Sequence, residues 1–435
     1  MMAPLAHEDR FGWILGIEDT CVYPHAGARM QPLDEFQLTE HDANWRDDLR
    51  LARDLGATAV RYGTRWPLVH VAPGRYDWSW LEERFEFAVN ELGLRVIADL
   101  VHYGTPTWLE GSFADPSYPE VVADYEGTFA SHFAGLVDDI TPLNEPVTTA
   151  SFCGLRGVWP PALTGWEGWT AVVLGVVRGM QASIRAIREA NGNARIVHVE
   201  ASALYSAESE SLADHAVHLE SVGMLPTDLL TGRVTRQHPM HDWLLACGAS
   251  ERELDELVRG AVDFDLLGVN YYPDLSPRTL TQTGGAVEQR ATNLWTRGLV
   301  DSVRGFIRRY DSPVIVTETS IEGTDEVRSA WVDGSVDAVR ELTESGADVR
   351  GYTWWPLVDF VDWSYASGGR NVEEFVVDES VVAARTRPSA ATSKTPFLRR
   401  MGLVRLEEQA DGSLLRVRTP AAERFVAHAR GPVSR

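Results

Sequence analysis

Short apolar runs recur along the chain, and between them lie longer stretches whose apolar positions fall three and four residues apart. A short run bounded by Gly, Asp, Asn or Pro reads as a strand buried on both faces, whereas the 3.6-residue period reads as a helix with one apolar stripe. Strands are predicted over residues 12–18, 57–62, 94–101, 139–144, 195–200, 266–271, 313–318 and 349–355. Helices are predicted over 45–55, 81–92, 169–191, 299–310 and 327–345, with a last one over 420–430 that packs on the wall of the fold. Strand and helix in alternation are the mark of βα units on a parallel sheet. Eight such strands predict an α/β fold, one closed (β/α)8 TIM barrel over residues 1–435. No GxGxxG or GxxxxGK[ST] loop follows any of the runs, so a doubly wound nucleotide-binding sheet is not indicated. Residues 378–395, rich in Ala, Ser, Thr and Arg without apolar period, are expected to form a mobile surface loop.

Composition adds exclusions. With 44% hydrophobic and 24% charged residues the chain has the make-up of a folded protein with a large core. A net charge of -23, from 63 acidic against 40 basic side chains, repels phosphate backbones, so nucleic acid is excluded as a partner. The N-terminal residues lack a basic stretch followed by an apolar one, and no apolar stretch of membrane-spanning length is expected. A cytoplasmic location without membrane contact is the expectation; the oligomeric state is not legible. Cys21, Cys153 and Cys247 are spaced unlike zinc ligands and read as buried free thiols. His198, Glu200, His238 and His241 also match no standard ligand spacing, so neither a metal nor another cofactor is expected.

In a barrel of this kind chemistry gathers where the strands end. The predicted strand ends carry Glu18, Arg61, His102, Asn144 with Glu145, Glu200, Asn270 to Tyr272, Glu318, and Trp355 with Asp362 and Trp363. A carboxylate after one apolar strand is common by chance. Glu145 after the fourth strand and Glu318 after the seventh are more telling, because those ends face each other across the mouth of the barrel. Retaining glycoside hydrolysis needs such a pair, roughly 5 to 5.5 Å apart, one attacking the anomeric carbon and one protonating the leaving oxygen.

The residues around these ends resemble glycoside hydrolase family 1, the β-glycosidases. Asn144, Glu145 and Pro146 resemble its NEP motif. Residues 60–66 (VRYGTRW) resemble "RFSxxW", and 100–109 (LVHYGTPTWL) resemble "LyHWDLPxxL". Residues 268–272 (GVNYY) match "GxNYY", 314–320 (VIVTETS) resemble "xxITENG", and 351–363 (GYTWWPLVDFVDW) resemble "GYfxWSLlDNfEW". The resemblance implies Glu145 as acid/base and Glu318 as nucleophile. It implies Asn144 as the partner of the sugar 2-hydroxyl, and Arg61 and Tyr272 as residues that bracket the nucleophile. His102 and Trp363 become glycone contacts and Trp355 the floor under the ring; Asn270, Asp362 and Glu18 at the same strand ends are further candidate substrate-binding residues. A small glycoside or oligosaccharide is the implied substrate. The alternatives are a sugar-binding or regulatory protein with little turnover on the same barrel, or a retaining hydrolase from another family of the clan.

Departures from the pattern fall on the glycone side. Where the family has a Gln that grips two sugar hydroxyls near the end of its first strand, this chain reads Gly16, Ile17, Glu18 and Asp19. The family Glu that fixes the 4- and 6-hydroxyls is the shorter Asp362, and "HWD" has become His102, Tyr103 and Gly104. Such losses lead to the expectation that glucose and galactose are poor glycones.

Overall fold

The computed structural model describes residues 11–25, 30–367 and 395–431. Its centre is a closed barrel of eight parallel strands, β1 (Gly12–Gly16), β2 (Ala59–Gly63), β3 (Arg95–Asp99), β4 (Asp139–Thr141), β5 (Arg195–Ala201), β6 (Leu266–Asn270), β7 (Val314–Thr319) and β8 (Val349–Trp354). Each pairs with its neighbours in sequence order and β8 returns to β1, where Gly12 stands beside Gly351. The crossovers carry α1 (His41–Asp54), α2 (Ser79–Glu86), α3 (Tyr118–His132), α4 (Gly165–Ala190), α5 (Ala213–Leu230), α6 (Trp295–Tyr310) and α7 (Asp325–Glu344). The last helix, α8 (Pro420–Ala429), packs its Phe425 ring 5.7 Å from Trp13 on β1, as the sequence predicts.

Strand side chains alternate between the two faces of the barrel wall. Ile14, Ala59, Ile97, Val197, Leu266 and Ile315 point inward and fill a buried layer of their own. Their neighbours Leu15, Val60, Val96, Ile196, Leu267 and Val314 join the larger core under the helices. Two residues beyond the inward layer, the same face of β1, β2 and β3 presents Gly16, Arg61 and Asp99, so the interior changes from apolar to charged within one repeat. That change of layer places the site.

Several expectations need correction. The fourth strand is short and ends at Thr141; Asn144 rejoins the sheet only through an isolated bridge to Val199. The helix predicted over 81–92 is α2 followed by a wider π turn, Phe87–Glu91. Helices α3 and α5 are additions, as is a three-stranded sheet of Leu204–Ala207, Pro277–Thr283 and Ala286–Ala291. In α5 every residue from Leu225 to Leu230 is buried, so no polar face was there to mark a period. Helix α4 has the length and composition to cross a membrane, contrary to expectation, but most of its apolar window is buried within the protein, against α3, α5 and the turns of residues 146–155. Cys21 and Cys153 are buried and unpaired, while Cys247 is only half-buried. The loop expected over 378–395 lies outside the described residues but for Thr395.

Candidate active site

Arg61 is fully buried, and its guanidinium holds three side chains, from β3, from β7 and from the segment just after β4. Nη1 donates to Glu318 Oε1 at 2.6 Å, and Nη2 donates to Asp99 Oδ2 at 2.5 Å and Asn144 Oδ1 at 2.8 Å. The second oxygen of Glu318 accepts from the Tyr272 hydroxyl at 2.6 Å. Both oxygens of Glu318 thus face donors, the environment of a carboxylate. Its proton affinity is nonetheless high. Burial pushes Glu318 up to about 8, against the pull of Arg61 and with a further push from Glu145. Arg61 does not offset the burial fully, since its one cation is shared between Glu318 and Asp99.

Glu145 sits opposite, between β4 and the short helix Pro146–Ala150. The proline that follows bars it from the right-handed helical region, and the residue adopts φ 44°, ψ 71°. A left-handed backbone costs a residue with a side chain about 1 to 2 kcal/mol, so the turn is held by its surroundings. The Glu145 N–H donates to Val199 O at 3.1 Å. On the side chain, Oε1 accepts from Asn270 Nδ2 at 2.7 Å and Oε2 from the Tyr103 hydroxyl at 2.8 Å. Thr317 donates to Asn270 Oδ1 at 2.7 Å, which fixes the orientation of that amide.

His102 Nδ1 lies 2.6 Å from Asp19 Oδ1 and 2.9 Å from Asp99 Oδ2. One N–H cannot serve both fully; it is aligned on Asp99, and no other donor among the described residues reaches Asp19. Burial accordingly pushes Asp19 up to about 7, with His102 opposing it. For His102 burial disfavours the charged ring, but the two carboxylates outweigh it and raise its proton affinity well above the usual value. These three groups lie close enough together to share a cation. Arg61 already supplies that positive charge.

The pair opens onto a cavity of about 1030 Å³ lined by Glu18, His102, Glu145, Asn270, Tyr272, Glu318, Trp355, Asp362 and Trp363 among others. Nine of the eleven predicted site residues therefore face one space. Arg61 and Asn144 do not; they stand behind the wall, and the Asn144 amide is occupied by Arg61, Asn270 and Tyr103. Glu200 fails to reach the cavity. It is fully buried, accepts from the N–H groups of Val147 and Ala201, and is pushed well above the carboxylate range by burial. His198 bonds Thr227, and His238 bonds Asp228, so the considered His and Glu residues do not converge.

A family model, glycosyl hydrolase family 1, matches residues 36–381. The chain belongs to that family. It is therefore a retaining O-glycosyl hydrolase, and membership removes the alternative of another family of the clan. Among curated proteins this family 1 chain is 26% identical to a bifunctional β-D-glucosidase/β-D-fucosidase of Bifidobacterium breve, over 78% of this chain and 86% of that one. It is 25% identical to a β-galactosidase of Saccharolobus solfataricus, over 80% of this chain and 73% of that one. Its fold matches that of a family 1 β-glucosidase of Thermotoga maritima, solved with isofagomine lactam, at a TM-score of 0.78 and 17% identity, covering 97% and 98% of the two chains.

At the β1 and β8 end of the cavity the family 1 enzyme shows its own arrangement. A Cβ on Gly16 would fall 1.8 Å from Trp355 Cε3, so the indole fills the space of any side chain there. Trp355 is fixed by donating to Glu18 Oε2 at 2.8 Å, while Glu18 Oε1 accepts from Thr20 Oγ1 at 2.6 Å. Asp362 accepts from Ser364 N at 2.9 Å and lies 3.8 Å from Arg399. The buried indole N–H of Trp363, by contrast, finds no acceptor among the described residues. Sequence reasoning missed Tyr103 and Asp99 as members of the site. Asp99 ends a strand and stands three residues before His102, a signal that was available; Tyr103 was noted only as a departure.

Proposed function

We propose that the protein hydrolyses a β-glycoside by double displacement, with Glu318 as nucleophile, Glu145 as acid/base, and a glycone other than glucose or galactose. The observation that carries the catalytic assignment is the unequal surroundings of the two carboxyls. Glu318 receives a charged donor and a phenol, whereas Glu145 receives only neutral donors. In the first step a Glu318 oxygen attacks the anomeric carbon while Glu145 gives its proton to the departing oxygen. In the second, water attacks the same carbon, Glu145 takes its proton, and Glu318 leaves as carboxylate. Asn270, fixed by Thr317, keeps Glu145 in place throughout. Arg61 and Tyr272 absorb the charge that Glu318 loses and regains.

The glycone assignment rests on lost hydrogen bonds. Gly16 offers no side chain, and Asp362 is a methylene shorter than glutamate. An unmet sugar hydroxyl in a dry site costs about 1 to 3 kcal/mol, so two such losses cut glucoside efficiency by several orders of magnitude. A sugar lacking the 6-hydroxyl escapes part of that loss, in keeping with the fucosidase activity in the name of the Bifidobacterium relative. Two measurements test the proposal. Glu318→Ala should lose turnover by a factor on the order of 10⁵. Azide should then restore release of an activated leaving group with inverted product, and near wild-type hydrolysis without azide would remove Glu318 from the mechanism. Comparison of kcat/KM across β-gluco, galacto, manno, fuco, xylo and arabino substrates tests the glycone, and a β-glucoside as best substrate would refute that part.

A further inference from the structure

Tyr103 stands where the family pattern has tryptophan, and its backbone lies in the left-handed region at φ 70°. A non-glycine residue is kept there only where its surroundings over-determine it. They do so here. The ring packs 5.1 Å from Trp159 and 5.3 Å from Trp363, edge-on to the latter, with His102 at 4.4 Å. Its hydroxyl lies 2.9 Å from Asn144 Nδ2 and 2.8 Å from Glu145 Oε2.

Neighbouring groups fix the direction of the phenol proton. An arginine can only donate, so the Asn144 atom 2.8 Å from Arg61 Nη2 is the carbonyl oxygen, and the amide NH₂ must face Tyr103. The phenol oxygen therefore accepts from Asn144, and its one proton points at Glu145 Oε2. Asn270 supplies the donor to Oε1. Both oxygens of Glu145 thus face fixed donors, a setting that serves the carboxylate form.

We propose that Tyr103 is a positioning residue for the second half of the reaction, holding the Glu145 carboxylate in place as the base that activates water. This rests on the acid/base reading of Glu145. Once the leaving group has departed with its proton, Glu145 is ionised. Water then forms a bond to the anomeric carbon and gives one proton to Glu145. The bond from that carbon to Glu318 breaks, and its electron pair returns to Glu318. Tyr103 keeps its own proton, since burial, reinforced by the charges of Glu145 and Glu318, pushes the phenol well above its ordinary value.

The test is Tyr103→Phe, which removes one oxygen and leaves the ring, assayed on the 2,4-dinitrophenyl β-glycoside of the best glycone. That leaving group departs without a proton, so turnover reports the second step. The variant should turn over about ten-fold more slowly or worse, the worth of one hydrogen bond to a charged group. The initial burst of dinitrophenolate should keep an amplitude of one per enzyme. Azide, which needs no base, should restore most of the rate while leaving the wild type unchanged. Wild-type turnover by the variant, a slowdown that azide does not relieve, or a reduced burst would each overturn the proposal. Glu145→Ala provides the control. If azide fails to rescue it, the acid/base reading itself falls; if azide rescues it but not Tyr103→Phe, only the role of Tyr103 falls.

Discussion

Around Glu145 and Glu318 hydrogen bonds join residues from four strands, Arg61, Asp99, Asn270 and Glu318, with Asn144 just beyond β4, and each amide is oriented by a donor on its carbonyl oxygen, Arg61 on Asn144 and Thr317 on Asn270. At the β1 and β8 end the bonds are mostly local, from Thr20 to Glu18 and from Ser364 to Asp362, and the Trp363 N–H meets no acceptor among the described residues. A network that spans strands fails when one member changes, because the others are left as buried unpaired groups. Local bonds can be exchanged singly, as at Asp362, whereas Gly16, Glu18 and Trp355, joined across β1 and β8, must change together. The same cavity thus combines an end that resists substitution with an end where specificity can drift.

The sharpest way to break this comparison is Arg61→Met. It strips the cation from the buried carboxylates of Glu318 and Asp99, and should cost about 3 to 5 kcal/mol of stability, with hydrolysis lost. A shift in urea unfolding of less than about 1 kcal/mol would show that the network is not coupled as described. Glu145→Ala should slow substrates with poor leaving groups by about 10² to 10⁴-fold, and activated aryl glycosides far less. Equal losses on both would deny Glu145 its acid role.

At the other end, Gly16→Gln should not recreate a glucosidase. The new side chain collides with Trp355, and thermal unfolding should register an overpacking penalty of about 1 to 3 kcal/mol together with lower activity. Improved glucoside hydrolysis would mean that the indole yields easily. Asp362→Glu should be milder and opposite, raising β-glucoside kcat/KM about ten-fold relative to the preferred glycone, the worth of one regained hydrogen bond. No change in that ratio would uncouple Asp362 from the glycone.

The smallest effect expected is a pH dependence of stability. Glu318 and Asp19 are raised in the folded protein, to about 8 and about 7, so folding favours their protonated forms. That contribution is complete below the unfolded carboxylate pKa of about 4 and is lost as pH climbs through 7 and 8. The unfolding temperature of the free protein should fall by a few degrees between pH 5 and pH 8, and less so in Glu318→Gln. A flat profile, or one rising with pH, would show both carboxyls to be ionised at no cost.

The barrel was legible because strands buried on both faces are continuous apolar runs, and all eight were found. Their exact ends were less so: Asn144 reads as strand but stands beyond β4, attached by one bridge. Helix α5 escaped notice because burial on every side near its end erases the helical period. In the site, the residues lining the cavity followed from motifs at strand ends. What could not be read was the order of partners behind them. That Asn144 spends its amide on Arg61 and Tyr103, or that Asp99 shares the guanidinium with Glu318, depends on distances across the barrel that spacing along the chain does not carry.

The contact between Gly16 and Trp355 also bears on how this sequence can evolve. A side chain at position 16 is harmful while the indole occupies its place, and an indole withdrawn first leaves Glu18 Oε2 without its indole donor and the cavity without its floor. Each single step back toward an ordinary first strand is therefore downhill in fitness, although the paired change need not be. The position works as a ratchet. Libraries that mutate one site at a time will find position 16 invariant, and only those that vary positions 16, 18 and 355 together can recover lineages with a rebuilt glycone grip.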